Sequence, residues 1–509
     1  MGKLLSVHNV YFPAIINAYI FFIISITLFL IKPESLLLLL LPTLIFCIGS
    51  FLSFLYLIKS LRVLEPLTWY VCGSGLFFGL GVIAGGLNSH EWTRIILGES
   101  NEHLINVNLL NSSSVLIVLT VGILVLRVGT LQSYKEPLKQ EKSNILSQIF
   151  PYLLIFSFIG IVLGYIFFPY AEDLVVRSLI NKVSFFIPSV FLIGGYLFKD
   201  LNRYQIITLV IILILQVSSG VLAFNKLEIL TPIIALLIGL WASKRTYKFL
   251  AFSLLLPIII FWITNPLVSE GRKHEMYVSS FISGEIFLSD RVDIFADVIS
   301  LQFYQNPQNP QNPQNPQNPQ KSQLSQLVTL QDLHNETYTL FNKIRNIGVR
   351  LDVATIQGWL INEYNNHRPG RTMEDIFSVL IPRVIWPSKP IVTRRGNELN
   401  ELYYHQSISS VAPTYSAESY WNYGPMGLIA ISIYLGLCFG WLSRLAYRSI
   451  KDTEPAYFLV AYHAIFSAIL LESWIVSTYV GGFVIMMIIF FMTKFLLMTY
   501  RRIWGSTNA

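Results

Sequence analysis

The sequence predicts an all-α, polytopic membrane protein, and three observations support this fold class. Only 13% of the 509 residues are charged and 53% are hydrophobic, whereas roughly a quarter of the residues in a soluble domain are charged. The apolar residues gather into long runs, and a helix needs about 20 largely apolar residues to cross a bilayer. Many basic residues lie in the short segments between those runs, where they set topology rather than bind nucleic acid.

The lengths of the apolar runs predict about 12 transmembrane helices. We expect an N-terminal bundle of about nine helices (residues 1–267) and a C-terminal bundle of about three helices with a short tail (425–509). The run at 229–243 is short, and it could form a tight hairpin with its predecessor. The runs occupy residues 11–31, 35–58, 66–86, 109–128, 149–168, 183–199, 204–224, 229–243, 249–267, 425–446, 455–473 and 478–499.

The distribution of Lys and Arg predicts the orientation of these helices. With the N-terminus in the cytoplasm, the inside segments hold roughly three times as many basic residues as the short outside loops, which is the positive-inside bias. An even number of spans then returns the C-terminus to the cytoplasm. We therefore expect a multi-pass protein of the cell (inner) membrane, with both termini inside and the long segment 268–424 on the outer face.

The long segment 268–424 is expected to carry short helices on either side of a low-complexity linker. An Asn-Pro-Gln triplet repeats within 305–320, and proline at every third position favours an extended chain without a core. A neutral repeat expansion explains this linker better than a dedicated spacer does. Apolar residues at helical spacing between 353 and 364 predict an amphipathic helix. Thr372 is placed to cap a further helix over 373–384.

Cations and aromatic residues are dense in the second half of this segment. The stretch Pro382–Pro390 places Arg383 and Lys389 among prolines beside Trp386. Arginine presents a planar fork that matches diphosphate oxygens, and the resulting hydrogen bonds are charge-assisted. Tryptophan stacks on sugar rings but also anchors proteins at membrane interfaces. The pattern predicts an anion-binding surface, with contacts to anionic headgroups or a solvated face as the alternative. Its candidate cations are Arg350, Arg368, Arg383 and Lys389.

Glu418 is the most suggestive acid, because it lies between Tyr415 and Tyr420 just before an apolar run. A partly buried carboxylate at this position could take a proton from an attacking hydroxyl group. A salt bridge to a nearby arginine explains Glu418 equally well. His405 is a second candidate base within the same segment.

Several chemistries find no support in the sequence. The chain has no Gly-rich phosphate loop, no His-Glu-x-x-His and no Gly-x-Ser-x-Gly, which argues against an ATPase, a zinc protease and an α/β-hydrolase. Its three cysteines lie inside apolar runs, so neither a disulfide framework nor a cysteine zinc site is expected. Asp290, Asp293 and Asp297 could share one helix face, but a solvated face explains them better than a cation site. No metal or cofactor is predicted.

The order of these features resembles that of one known family. The pattern comprises many spans, a basic residue at a mid-chain hairpin, one long outer loop and two motifs. The first motif is Pro-Arg-x-x-Trp-Pro-x-Lys-Pro at Pro382–Pro390, and the second runs from Glu418 through Asn422 and Gly424 to Gly427. The chain thus resembles the bacterial oligosaccharide repeat unit polymerases, the Wzy-type O-antigen and exopolysaccharide polymerases.

Two further positions contribute to the resemblance more weakly. Arg350 is similar to an arginine that such enzymes carry earlier in the outer loop. Lys226 stands where many relatives have arginine, which keeps the charge but loses the planar fork. Lys226 also lies between two apolar runs with Glu228, where a charge at the membrane boundary either has a role or simply ends the spans.

The resemblance implies a fold like that of the metal-independent GT-C glycosyltransferases and a specific activity. Such enzymes transfer a growing glycan from undecaprenyl diphosphate to a new lipid-linked repeat unit on the outer face of the membrane. They need no nucleotide sugar and no cofactor, and they act among membrane lipids beside a flippase and a chain-length regulator. If the chain has this activity, the catalytic residue is Glu418 or His405, and the substrate-binding residues are Arg350, Arg368, Arg383, Lys389, Lys226, Trp386 and Asn422.

Two other functions are considered as alternatives. An O-antigen ligase shares this architecture but transfers the glycan to a different acceptor. A polysaccharide transporter or flippase instead predicts charged residues within spans and internal repeats. The sequence has few intramembrane charges besides Glu472, near the end of a run, and no evident repeat.

Overall fold

The structure is a computed structural model, and every regular element in the part of the chain that it describes is a helix. Within those residues the only β-type contact is an isolated antiparallel bridge between Thr414 and Glu472. The described residues are 7–60, 62–87, 102–130, 143–167, 186–244, 291–298, 352–381, 412–450 and 455–504, with isolated residues between 256 and 271 and between 385 and 402.

Long helices follow one another along the described chain, and two π-helical stretches interrupt or extend them. Gly75–Leu80 joins α3 to α4, and Ile475–Gly481 leads directly into α13. The α-helices are α1 (Val7–Ile31), α2 (Leu36–Lys59), α3 (Pro66–Ser74), α4 (Gly81–Leu87), α5 (Glu102–Thr130), α6 (Ser143–Phe167), α7 (Ile187–Tyr196), α8 (Arg203–Leu222), α9 (Lys226–Lys244), α10 (Ala354–Asn365), α11 (Tyr415–Ile450), α12 (Phe458–Ile469) and α13 (Gly482–Trp504).

The apolar helices confirm a multi-pass, all-α membrane protein. Among the described residues, eight stretches are long and apolar enough to span a membrane, and each overlaps a predicted run, although the stretches from Glu102 and from Tyr415 begin several residues before their predicted runs. Three shorter apolar helices occupy three further runs, while the run at 249–267 lies mostly outside the described residues. The total of about 12 spans therefore stays a prediction. The eight stretches are Val10–Ile31, Leu36–Lys59, Pro66–Leu87, Glu102–Arg127, Arg203–Leu222, Lys226–Ser243, Tyr415–Ser449 and Ile475–Thr499.

The connections between helices gather at two ends of the bundle. At one end, Lys32 follows α1 and forms a 2.7 Å ion pair with Glu102 at the start of α5. At the other end, the Tyr457 hydroxyl, just before α12, donates a 2.8 Å hydrogen bond to the Leu64 carbonyl oxygen, between α2 and α3. These two contacts mark opposite ends of the bundle.

Small residues let α5 and α11 approach each other closely. A Cβ atom added at Gly440 would collide with the backbone of Gly122, and one added at Gly436 would lie 3.0 Å from the Val118 carbonyl oxygen. Between membrane helices, glycine at a crossing permits backbone contact and close van der Waals packing. This crossing fixes α11, which carries Glu418 and Asn422, against α5.

A buried ion pair fixes the connection between α2 and α3. The Arg62 guanidinium lies 2.6 Å from one Glu65 carboxylate oxygen, and the Tyr11 hydroxyl donates a 2.7 Å hydrogen bond to the other. The Arg62 guanidinium also lies 4.8 Å from the centre of the Tyr447 ring. Burial raises the pKa of Glu65 above its usual range, and the neighbouring Arg62 charge offsets part of that rise. The ion pair thus ties α1, through Tyr11, and α11, through Tyr447, to this connection.

Helix α11 is divided into two pieces near its beginning. Tyr423 (φ −137°, ψ 15°) and Gly424 (φ 61°, ψ −150°) have non-helical backbone angles. A Cβ atom added at Gly427 would meet the Ser419 carbonyl oxygen, so the chain folds sharply back at this point. The first piece, 415–422, therefore packs beside the start of the second piece, 425–450.

Replacing Gly424 with Ala is expected to destabilise the protein. The backbone angles at Gly424 are ones that residues with a side chain rarely adopt, which costs about 1–3 kcal/mol, and the added methyl group would also collide with the Tyr364 ring. The thermal midpoint of the purified protein in detergent measures the effect. Gly482→Ala is the matched control, because Gly482 is helical and the nearest atom to an added Cβ is 4.0 Å away. Equal midpoints for the two variants would contradict the prediction.

Candidate functional site

The part of the long segment that contains helix α10 packs against the bundle, and the contact begins at the N-terminus of that helix. The Asp352 carboxylate accepts hydrogen bonds from the Thr355 backbone N–H (3.1 Å) and from the Thr355 hydroxyl (2.7 Å), which caps the helix N-terminus. The same carboxylate borders Gly85 in α4. The amphipathic helix predicted here is confirmed, and its buried face includes Val353, Ile356 and Leu360.

A buried polar network joins α10 to α5 and to the beginning of α11. The side-chain amides of Gln357 and Asn111 exchange two hydrogen bonds of 3.0 and 3.2 Å. The Gln357 amide also donates to the Thr414 hydroxyl (2.6 Å), and the Ser416 hydroxyl donates to the side-chain amide oxygen of Asn111 (3.0 Å). All four side chains are buried. A buried network with satisfied partners rigidifies one arrangement, so α10 is held in a single register.

A second chain of hydroxyl groups continues into the bundle. The Tyr415 hydroxyl lies 2.6 Å from the hydroxyls of both Tyr70 and Ser114, and Ser114 lies 3.0 Å from the Ser432 hydroxyl. Sequence reasoning missed both networks. The available signal was the polar run 111–114 inside the apolar run 109–128, since polar side chains within a span must find partners there.

Glu418 is completely buried where three parts of the chain meet. The Thr372 hydroxyl of the long segment donates a 2.7 Å hydrogen bond to one carboxylate oxygen of Glu418. The Ile475 backbone N–H, at the start of the π-helix before α13, donates a 2.7 Å hydrogen bond to the other oxygen. The two carboxylate oxygens therefore accept hydrogen bonds from the long segment and from the π-helix that leads into α13. The predicted role of Glu418 as a base stays a prediction.

Asn422 strengthens the same junction from the next turn of the helix. Its amide nitrogen lies 2.9 Å from the Thr372 hydroxyl and 2.8 Å from the Glu418 carbonyl oxygen. Its amide oxygen accepts a 3.2 Å hydrogen bond from the Met373 backbone N–H. The second sequence motif thus contributes two side chains that clamp 372–373, and the substrate-binding role of Asn422 stays a prediction.

The predicted helix over 373–384 is wrong for its described part. Residues 372–377 form turns, and Ser378–Leu380 is a 3-10 helix. Thr372 does not cap a helix, because its hydroxyl donates to Glu418 instead. Propensity alone predicted a helix here, and the tertiary hydrogen bonds of Thr372 and Met373 override it.

The predicted cation Arg368 lies at an exposed turn that Trp421 holds in place. Its guanidinium forms a 2.8 Å ion pair with Glu363. Its carbonyl oxygen accepts a 3.1 Å hydrogen bond from the Trp421 indole N–H, and the Gly370 N–H donates to the Trp421 carbonyl oxygen (3.0 Å). Arg371, one residue further on, is 3.7 Å from Glu374. Because both guanidinium groups are largely exposed, they remain open to an anionic ligand.

Of the predicted site residues, Glu418 and Asn422 meet at Thr372, whereas only the backbone of Arg368 contacts their helix, through Trp421. Lys226 begins α9 and is half-buried, between Phe224 and Ile229 in sequence, and those two residues belong to a separate apolar cluster. The Trp386 side chain is exposed. The remaining predicted residues, Arg350, Arg383, Lys389 and His405, lie outside the described residues.

Two further observations concern cofactors and relatives. The described residues contain no group of three or more His, Cys, Asp or Glu side chains that could hold a metal ion. Comparison with models of known protein families, with curated proteins and with solved structures found no match to this chain.

Proposed function

We propose that this protein is a membrane-embedded glycosyltransferase that polymerises undecaprenyl-diphosphate-linked oligosaccharide repeat units into a surface polysaccharide. One arrangement supports the proposal: exposed cations are followed closely by exposed apolar side chains. The Arg368 and Arg371 side chains are 65% and 80% exposed, and Phe377 and Leu380 are exposed shortly after them. A substrate in which a diphosphate joins a glycan to a polyisoprenyl chain needs both kinds of surface side by side.

The proposed site works on the outer face of the cell membrane, with both termini in the cytoplasm. There the glycan leaves undecaprenyl diphosphate as its anomeric carbon forms a new bond to an acceptor hydroxyl oxygen. The departing diphosphate develops charge that fixed cations stabilise. The proposed cations are Arg350, Arg368, Arg383, Lys389 and Lys226, with Arg371 close to Arg368 in the chain.

Trp386 is proposed to stack on a sugar of the substrate. The acceptor hydroxyl must also lose its proton to a base, and the candidates are His405 and Glu418. The burial of Glu418 and the engagement of both its carboxylate oxygens favour His405 as the proton acceptor and Glu418 as a positioning residue. The mechanism requires no metal, nucleotide sugar or cofactor.

Replacing Arg383 or Lys389 with Ala is expected to abolish long polymer chains. Each loses a charge-assisted hydrogen bond to the diphosphate worth about 1.5–3 kcal/mol, which is about 10- to 150-fold in rate if the contact acts in the transition state. Glycan profiles of deletion cells complemented with each variant measure this, at matched protein levels. Arg203→Ala is the control, because Arg203 is an exposed arginine at the start of α8, outside the long segment.

The product distinguishes the proposed polymerase from a ligase. Loss of long chains with continued transfer of single repeat units supports polymerisation, whereas loss of all transfer supports a ligase. Full-length polymer in cells that carry both Arg383→Ala and Lys389→Ala would contradict both the polymerase and the ligase assignment of the cation cluster.

A further inference from the structure

The turn 376–381 in the long segment is apolar on both of its sides. Ile376 and Val379 pack against the core of the bundle, while Phe377, Leu380 and Ile381 are exposed. An element that is apolar all round is expected in a protein core or in a membrane, not at a surface that faces water. The inner side is accounted for by the bundle, so the outer side requires an apolar environment of its own.

The position of the turn identifies that environment. The 3-10 helix Ser378–Leu380 packs against the π-helix Ile475–Gly481, and a Cβ atom added at Gly481 would lie 3.6 Å from the Val379 Cβ. Gly481 lies within the candidate membrane span Ile475–Thr499, several residues from its beginning. The turn therefore packs beside residues that belong to this candidate span and not beyond its end.

The backbone of the turn suits a medium without water. The N–H groups of Ile376, Ser378, Leu380 and Ile381 donate to the carbonyl oxygens of Met373, Asp375, Phe377 and Ser378, at 2.9–3.3 Å. Backbone groups in the hydrocarbon region must be satisfied internally, because no water is present to bond them. A turn whose N–H groups bond within the segment meets much of that requirement without being a span.

We propose that the turn 376–381 inserts into the bilayer, with Phe377, Leu380 and Ile381 in contact with lipid acyl chains. The turn is thus the membrane-inserted part of a long segment that otherwise lies outside the membrane. Glu374 and Arg371, both exposed, mark the point where the chain leaves the hydrocarbon. This inference does not depend on the proposed enzymatic function. The π-helix Ile475–Gly481 and the long segment are joined at two places, through Glu418 and through Val379, which holds the turn against the bundle.

Fluorescence quenching in lipid nanodiscs tests the insertion. The native Cys47, Cys72 and Cys438 are replaced by Ala, and single cysteines are introduced by Leu380→Cys or Phe377→Cys and labelled with an environment-sensitive probe. Ile23→Cys on the exposed side of α1 and Asn366→Cys in the exposed turn after α10 are the membrane and water controls. Size-exclusion profiles confirm that each variant is folded before labelling.

We expect brominated acyl chains to quench the probes at residues 380 and 377 about as strongly as at residue 23, and much more strongly than at residue 366. Lipids brominated near the headgroup should quench the two positions more than lipids brominated near the chain end. Quenching by aqueous iodide, as at residue 366, would overturn the proposal. Insensitivity to both quenchers would overturn it as well, because it indicates that protein, such as a second copy of the chain, covers the turn.

Discussion

Replacing Glu65 with Ala is expected to cause one of the largest losses of stability in this protein, about 3–5 kcal/mol. The substitution leaves the Arg62 guanidinium buried without its carboxylate, and it removes one of the two hydrogen-bond partners of the Tyr11 hydroxyl, which keeps Thr68. The Arg62 guanidinium and the Tyr11 hydroxyl are both buried, so water cannot readily replace the partner that is lost. The free energy of unfolding in detergent, from the denaturant dependence of helicity, measures the loss.

The exposed ion pair between Lys32 and Glu102 provides the control for this prediction. Its two side chains are 60% and 55% exposed, against 8% and 0% for Arg62 and Glu65. Glu102→Ala should therefore cost no more than about 1 kcal/mol. The double variant with Met at positions 62 and 65 should recover much of the stability, since an apolar pair of similar size leaves no charge buried. Equal losses for Glu65→Ala and Glu102→Ala would contradict the role assigned to the buried pair.

Replacing Glu418 with Ala is expected to separate the long segment from the bundle. The Thr372 hydroxyl and the Ile475 N–H would both lose their acceptor, and each unsatisfied buried donor costs about 1–3 kcal/mol. We expect a lower yield of folded protein, a lower thermal midpoint and faster proteolysis of the long segment. Limited proteolysis followed by identification of the cleavage sites measures the last effect directly.

Glu418→Gln distinguishes a positioning role from a catalytic role. The Gln carbonyl oxygen can accept from the Ile475 N–H, and its amide group can donate to the Thr372 hydroxyl oxygen, so the junction is largely retained. We expect this variant to fold, to resist proteolysis and to keep most of its activity in polymer formation. A folded Glu418→Gln protein that makes no polymer would instead assign the base to Glu418.

Local sequence patterns predicted much of the fold and less of the site. The apolar run lengths anticipated the spanning helices, and the spacing of Val353, Ile356 and Leu360 anticipated the buried face of α10. The prediction at 373–384 was wrong because it weighed only local propensity. The segment is instead shaped by Asn422 and Glu418, which lie far away in sequence.

The acid singled out at Glu418 illustrates the same division. Its position before an apolar run suggested a special environment, and it is indeed buried. A salt bridge to an arginine was the equally favoured alternative, but the described partners of its carboxylate are a hydroxyl and a backbone N–H. Since neither donor carries a charge, sequence charge patterns held no information about them.

The sequence by itself determined that this chain is helical and multi-pass. The length of an apolar run is a local property, and it only has to match the thickness of the bilayer for a helix to cross it. Only the tertiary structure decided which polar groups meet inside the bundle. Asn111 pairs with Gln357, and Thr372 pairs with Glu418, across long stretches of chain. Such contacts depend on how the helices pack, and the packing is a property of the folded molecule as a whole.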